Sequence, residues 1–286
     1  MIDWFDDIDV LKSVFAYLAE YDSTVTTALS KIQSSRGYCS ACKKPSTFRV
    51  TEGAESAGEW RNLLEGMHCL CGTNGRTRLA LDAWRSFRTV YNPTDSLIFE
   101  RVTPLYALIK SEQESIQSCE YLGDEKTAGQ YYEINSVSIR HENIMALSYA
   151  DQSFDLMMHF DIVEHIPDHR QAFRECYRCL RPGGAMLFTL PFFPGLDRHL
   201  VRAEATVDGI QHHLEPAYHG NPLGGGALVF FHPGWQLLDD LAEAGFGTSV
   251  AFEYNPAVGI VSNGCPYPDG HMWPVVFLAR RPPFSQ

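Results

Sequence analysis

"SFDLMMHFDIVEHIPDH" (residues 153–169) decides the fold. A turn residue opens it, and residues 154–160 then make a largely apolar run of strand length. Asp161, Glu164, His165, Pro167 and Asp168 follow at once. A buried strand that ends in acids and a histidine delivers polar chemistry to one edge of a sheet. In an open parallel sheet that edge, outside the carboxyl ends of the strands, is where ligands bind.

The flanking sequence repeats the pattern. Asp168 is a plausible N-cap for a helix running to Leu180, with Ala172, Phe173, Cys176, Cys179 and Leu180 on its apolar face. The Cys176–Cys179 pair therefore reads as core packing. "RPGG" (181–184) stops the helix. "AMLFTLPFF" (185–193) is apolar throughout, as a parallel strand covered on both faces should be. Upstream, "SLIFE" (96–100), "SIQSCEYL" (115–122) and "NSVSIRHEN" (135–143) read as three further strands. Downstream, "GWQLLDDLAEAGF" (234–246) is an amphipathic helix, and "SVAFEYN" and "PVVFLARR" can close the sheet as a late hairpin. This alternation predicts a doubly wound, mostly parallel, seven-stranded α/β sheet.

The N-terminal part differs. Trp4, Ile8, Leu11, Phe15 and Leu18 share one stripe of a helix over 4–20, and a second helix is expected over 23–34. "RLALDAWRSFRTVY" (78–91) also reads as a helix. The expected organisation is N-terminal helices at 1–37, a cysteine-bearing module and linker helix at 38–92, and the sheet domain at 93–286. An insert at about 194–233 interrupts that domain.

Of 286 residues, 23 are Lys or Arg and 35 Asp or Glu, giving a net charge of −12. This argues against nucleic acid as the partner, although Lys31, Arg36, Lys43, Lys44 and Arg49 form a local basic run. The acidic start "MIDWFDDIDV" lacks the features of a secretory signal. No run approaches the roughly 18 apolar residues that span a bilayer. A cytoplasmic protein without membrane contact is expected, so its eight cysteines read as thiols or metal ligands.

Cys39-x2-Cys42 and the cluster His68, Cys69 and Cys71 are two close ligand pairs of the kind that holds structural zinc. Cys39, Cys42, His68 and Cys71 give the usual knuckle spacing, with Cys69 as the substitute for His68. The insert carries "GIQHHLEPAYHGNP" (209–222), in which His212, His213, Tyr218 and His219 are candidate substrate contacts. His165 is the candidate general base, because imidazole titrates near working pH. His213, Glu215 and His219 also offer a second set of metal ligands.

Residues 147–193 resemble the second half of a class I, Rossmann-like, S-adenosylmethionine-dependent methyltransferase. The resemblance rests on the turn "LSYADQSFD", the strand end "EHIPD", the helix stop "LRPGG" and the strand after it. It implies S-adenosylmethionine as cofactor. By the same resemblance Glu120, with Tyr121 beside it, would take the ribose hydroxyls. The segment Glu142, Asn143 and Ile144 would take the adenine, and Phe160 and Asp161 would lie near the methionine. Glu100 stands at the family's first acid position, but Val102, Pro104 and Tyr106 stand where the family has glycines. "WRNLLEGMHCLCGTNGRTRLAL" (60–81) resembles the zinc ribbon that precedes some methyltransferase-like domains. The implied activity is methyl transfer to a small-molecule substrate. The alternatives are a non-catalytic binding or assembly module, an RNA-modifying enzyme using the basic run, and a metal-assisted enzyme built on the histidine-rich insert.

Overall fold

The computed structural model describes residues 2–53 and 60–283. Its central sheet consists of β1 (Asp3–Phe5), β2 (Ser96–Ile98), β3 (Gln117–Ser118), β4 (Phe154–Phe160), β5 (Leu180–Thr189), β6 (Gly247–Phe252) and β7 (Val275–Arg280). The spatial order is β1-β6-β7-β5-β4-β2-β3. β4 runs parallel to β5 and β2, and β2 parallel to β3. β7 is antiparallel to both neighbours, as the late hairpin requires. The main helices are α1 (Ile8–Ser30), α2 (Gly75–Tyr91), α3 (Pro104–Glu112), α4 (His169–Cys179) and α5 (Gln236–Glu243).

Side chains of a strand point alternately to the two faces of the sheet, so a doubly covered sheet needs two cores. Met157, Met186 and Phe188 enter one core with Phe15 of α1, Phe173 of α4 and Leu237 of α5. Leu156, Met158 and Leu187 enter the other with Trp84 of α2 and Ile109 of α3. Cys176 and Cys179 are fully buried in the first core, as expected of packing thiols.

Several expected boundaries move. The third strand, over 135–143, does not join the sheet as a strand. Residues Val137–Arg140 pair with Tyr131–Ile134 in a hairpin, and only an isolated bridge between Glu120 and His141 touches the sheet edge. The seventh strand is instead β1, which pairs with β6 at the opposite edge. β5 starts at Leu180, earlier than expected, and bulges across "RPGG", with Gly183 at φ +83. It ends before Pro191, whose ring could not continue the ladder.

The two expected N-terminal helices are one. Asp7 caps α1 through Asp9 and Val10, and nothing at 21–23 breaks it. There the buried Asp22 carboxylate accepts from the Ser262 hydroxyl at 2.8 Å. Phe15 stacks on Trp273 at 5.4 Å and meets Phe252 edge-on at 5.3 Å. Helix α1 is thus part of the domain core. The insert is tied down by Asp240 of α5. Its Oδ2 accepts from His169 of α4 at 2.7 Å and from His199 at 2.9 Å, and its Oδ1 accepts from Arg170. Burial opposes the charge on Asp240, but the two imidazoles hold its pKa well below the carboxylate range.

Because Phe15 is fully buried among aromatic rings, Phe15→Ala should cost about 3–5 kcal/mol and lower the unfolding midpoint of the whole chain. Urea denaturation followed by tryptophan fluorescence would read it. An unchanged midpoint would mean that α1 is an independent module.

Candidate functional site

The carboxyl ends of β2, β3 and β4 carry Glu100, Glu120 and Asp161. Thr103 caps α3 by accepting from the Tyr106 N–H at 3.1 Å, and Pro104 occupies the first helical turn, where its missing N–H costs nothing. The Thr103 hydroxyl also bonds the Glu100 carboxylate. The loop that lacks glycines is held by Glu120, whose Oε1 accepts from the Arg101 N–H at 2.7 Å. Burial raises the pKa of Glu120, while the backbone N–H groups of Arg101 and Val102 pull it back. Tyr106 turns inward, joining Ile98, Leu105 and Phe160 in the core, and its hydroxyl meets Arg101.

Asp161 sits in the left-handed region at φ +52, a conformation that Asp tolerates better than most residues. Its N–H donates to the Thr189 carbonyl, and its Oδ1 accepts from the Thr189 hydroxyl at 2.7 Å. Arg76, in the first turn of α2, lies 2.7 Å from Asp161 Oδ2 and also pairs with Glu65. Burial works against the Arg76 charge, yet Asp161, Glu65 and Glu100 around it raise its pKa above the usual arginine value. Glu100 is 8% exposed, and burial pushes its pKa up to about 7 despite Thr103 and Arg76.

The other cofactor candidates are placed differently. Tyr121 is exposed, with its hydroxyl on Asp124 at 2.5 Å. The Glu142 carboxylate is fully buried and taken by Arg140 at 2.8 Å and by the Ser148 N–H and hydroxyl. Asn143 Oδ1 accepts from the Met145 N–H at 2.9 Å and so closes its own turn. Ile144 and Phe160 are core residues.

Beyond Asp161 lies a cavity of about 210 Å³. Arg76, Asp161, His165, Thr189 and His219 line its polar side, and Phe192 and Trp273 its apolar side. His165 belongs to a short turn, Val163–His165, that follows β4. Its Nδ1 donates to the Leu228 carbonyl at 2.8 Å, which leaves Nε2 as the ring's free lone pair. Of the four candidates in the insert, His219 reaches this wall. His212, His213 and Tyr218 are exposed, and His213 pairs with Glu204 at 3.2 Å.

The cysteines of the N-terminal module converge. Cys39, Cys42, Cys69 and Cys71 bring their sulfurs together, with Cys39 to Cys71 at 3.8 Å and Cys42 to Cys69 at 3.7 Å. His68 is not in this group; it pairs in register with Arg49 on a short strand. Cys69, the alternative, takes its place because Cys69-x-Cys71 turns tightly. The Gly72 N–H donates to the Cys69 carbonyl, and Gly72 has φ +88. Beneath the sulfurs Arg78 is fully buried, its guanidinium bonding the carbonyls of Met67, Thr73, Val258 and Gly259.

Arg76, Thr189 and Glu164 escaped assignment from the sequence. The N-cap Asn74 marks the first turn of α2 and so the place of Arg76, but its partner Asp161 is distant in sequence and only the fold brings the two together. Glu164 lay within the opening stretch itself.

Residues 109–188 match the family model described as a methyltransferase domain. A probable S-adenosylmethionine-dependent methyltransferase of Mycolicibacterium smegmatis is 43% identical over 68 residues, 22% of this chain and 26% of that protein. A demethylmenaquinone methyltransferase of Alkalihalophilus pseudofirmus is 32% identical over 81 residues, 26% of this chain and 34% of that protein. The chain thus spans about a third or less of the length of these curated relatives. A solved S-adenosylmethionine-dependent methyltransferase from Mesorhizobium loti superposes with a TM-score of 0.41 at 15% identity, covering 70% of this chain and 100% of that one.

A carboxyl group whose pKa is raised on folding binds protons more tightly in the native state. It therefore removes stability as pH rises from its ordinary 4.5 to about 7. Glu100→Gln abolishes that titration. The variant should gain about 2.5 kcal/mol over the parent between pH 5 and pH 8, read from denaturation midpoints at both pH values. A constant difference across this range would show that Glu100 ionises normally.

Proposed function

We propose that this chain, whose residues 109–188 match a methyltransferase domain model, transfers a methyl group from S-adenosylmethionine to a small-molecule acceptor. The observation that carries the reading is the matched segment leading through β4 and β5 to a cavity at the carboxyl ends of those strands. At about 210 Å³ the cavity is smaller than a usual drug-sized site and admits only a small acceptor.

The polar groups fit the donor at two of its three parts. Glu120 can take ribose hydroxyls, with the Arg101 N–H fixing its orientation. Arg76 offers a cation for the methionine carboxylate, and Glu100 and Asp161 offer acceptors for its ammonium group. At the adenine end the fit rests on backbone atoms of 142–144, since the side-chain oxygens of Glu142 and Asn143 serve their own turn. When bound, the donor supplies an electrophilic methyl carbon. The residues of this chain then have to hold an acceptor in line with it and exclude water, which is work of placement rather than covalent help. His165, its tautomer fixed by Leu228, presents Nε2 to receive the acceptor's proton.

The cysteine module is proposed to hold one structural zinc ion on Cys39, Cys42, Cys69 and Cys71. Four thiolates around a divalent ion carry a net double negative charge. That charge would compensate Arg78, which is buried among carbonyls. Four protein ligands leave no open position for catalysis. No helix among the described residues is long and apolar enough to cross a membrane. A cytoplasmic location, without nucleic acid as partner, completes the proposal.

Calorimetry with S-adenosylmethionine and S-adenosylhomocysteine tests the main reading. Both should bind, and Glu120→Ala should weaken them roughly 10–100-fold through loss of a charge-assisted pair. No binding of either would leave the assembly-module alternative. Elemental analysis should give about one zinc per chain in the purified protein, lost in Cys39→Ser and kept in His68→Ala. Zinc loss in His68→Ala instead would restore the knuckle spacing read from the sequence.

A further inference from the structure

Glu164 is fully buried, and neither of its carboxylate oxygens has a hydrogen bond among the described residues. A buried carboxylate left in that state costs several kcal/mol unless a cation answers it. Two imidazoles face it, but at distances longer than hydrogen bonds. His165 Nε2 is 3.6 Å and His219 Nδ1 3.5 Å from the same oxygen, Oε1. The two rings stand nearly perpendicular, 4.8 Å apart, so neither stacks on the other.

The tautomer of His165 sharpens the point. A carbonyl can only accept, so the Leu228 contact assigns the ring proton to Nδ1. In the neutral ring Nε2 then carries a lone pair, and it faces a carboxylate oxygen with no proton between them. Two donor atoms bound to one metal ion at about 2.1 Å stand roughly 3.0–3.5 Å apart, depending on the angle at the metal. The pairs seen here are close to that spacing. A histidine that binds metal usually gives its other ring N–H to a carbonyl or carboxylate, as His165 does.

We propose that Glu164, His165 and His219 form a binding site for a first-row divalent cation such as Mn²⁺ or Zn²⁺. One carboxylate and two imidazoles suit such ions better than Mg²⁺ or Ca²⁺, which prefer all-oxygen ligands. The site is rigid where it must be. The Glu164 carbonyl accepts from the Phe230 N–H at 2.8 Å, so the segment 228–230 that brings Leu228 to His165 also fixes the turn beneath Glu164. It is also open where it must be. His165 and His219 line the cavity beside Asp161 and Thr189, so the remaining coordination positions point at the acceptor.

Resting on the methyl-transfer reading, this names the acceptor class: a hydroxyl, phenol or enol oxygen that binds the ion directly. Coordination lowers the pKa of that oxygen, and its proton leaves to water. The oxygen lone pair then forms the O–CH3 bond while the methyl–sulfur bond breaks, its electron pair staying on sulfur. The negative oxygen and the positive sulfonium both end neutral. With the cation bound, His165 Nε2 is a ligand, and the proton it would otherwise take goes to water.

The test uses the full chain as purified. Manganese is titrated in, and the free Mn²⁺ signal is followed by electron paramagnetic resonance. One Mn²⁺ per chain should be taken up. Glu164→Gln and His219→Ala should each weaken uptake at least tenfold, while the circular dichroism spectrum stays that of the parent chain, which shows that these variants fold. No uptake by the parent chain, or equal uptake by both variants, overturns the site. Donor calorimetry run in parallel separates the two readings. Mn²⁺ uptake without donor binding supports the cation site and sinks methyl transfer. Donor binding without uptake does the reverse.

Discussion

Arg76 is the group on which the polar end of the sheet depends. Parallel strands that stop together bring their terminal side chains to one small region, and here those side chains are acids. Asp161 lies close enough to Glu100 to help raise its pKa, and Glu65 approaches Arg76 from the other side. At such short range like charges repel by several kcal/mol wherever water is thin. A single guanidinium among them makes the arrangement tenable. It also sets the electrostatic contrast of the site, with a cation on one side of Asp161 and the buried carboxylate Glu164 on the other. Burial and Glu164 raise the pKa of Asp161, and Arg76 opposes them.

Arg76 does not belong to the sheet. It rides on α2, which begins four residues after Cys71, and two residues beyond Arg76 the same helix plants Arg78 under the four sulfurs. One turn of helix therefore fastens the cysteine module and the strand ends together. Asn74 fixes where that turn starts by accepting from the Thr77 N–H at 2.8 Å. The link is mechanical: the cysteine module anchors the start of α2, and with it Arg76, against the ends of β2 and β4. The two arginines differ in solvation. Arg78 is satisfied mainly by carbonyls, whereas Arg76 is answered by carboxylates.

Much of this was legible in the sequence where local pattern and global fold agree. The run 154–160 became β4 with the boundaries expected, because both of its faces are buried and nothing competes for its backbone. Asp168 caps α4 as read, through the Gln171 N–H. The clustering of Cys39, Cys42 and Cys71 followed from spacing, yet the choice between His68 and Cys69 did not. That choice depends on which side of a two-residue strand faces the sulfurs, and a strand so short leaves no periodicity to read. The third strand failed for a related reason. "NSVSIRHEN" has strand propensity, but residues 131–134 are a nearer partner than the sheet edge, and a local hairpin closes with less loss of chain entropy than a distant pairing. The site residues inferred from the family pattern divide along the same line. Glu100, Glu120 and Asp161 sit where strand ends must put them. Glu142 and Asn143 lie in a turn whose own hydrogen bonds no spacing rule foretells.

The closure of the sheet by β1 has a consequence for how the chain comes to be folded. Its partner strand, residues 250–252, is synthesised almost a whole chain later, and Phe15 waits on the same region for Phe252 and Trp273. Two of the four carbonyls that bind Arg78 likewise come from Val258 and Gly259. During translation, then, α1 emerges with its apolar stripe uncovered and keeps it so until most of the polypeptide has left the ribosome. The same long-range closure loads the native state with non-local contacts, which slow the final closure of the fold. For such a protein, the cellular machinery that shields nascent apolar segments is part of the physics of reaching the native state.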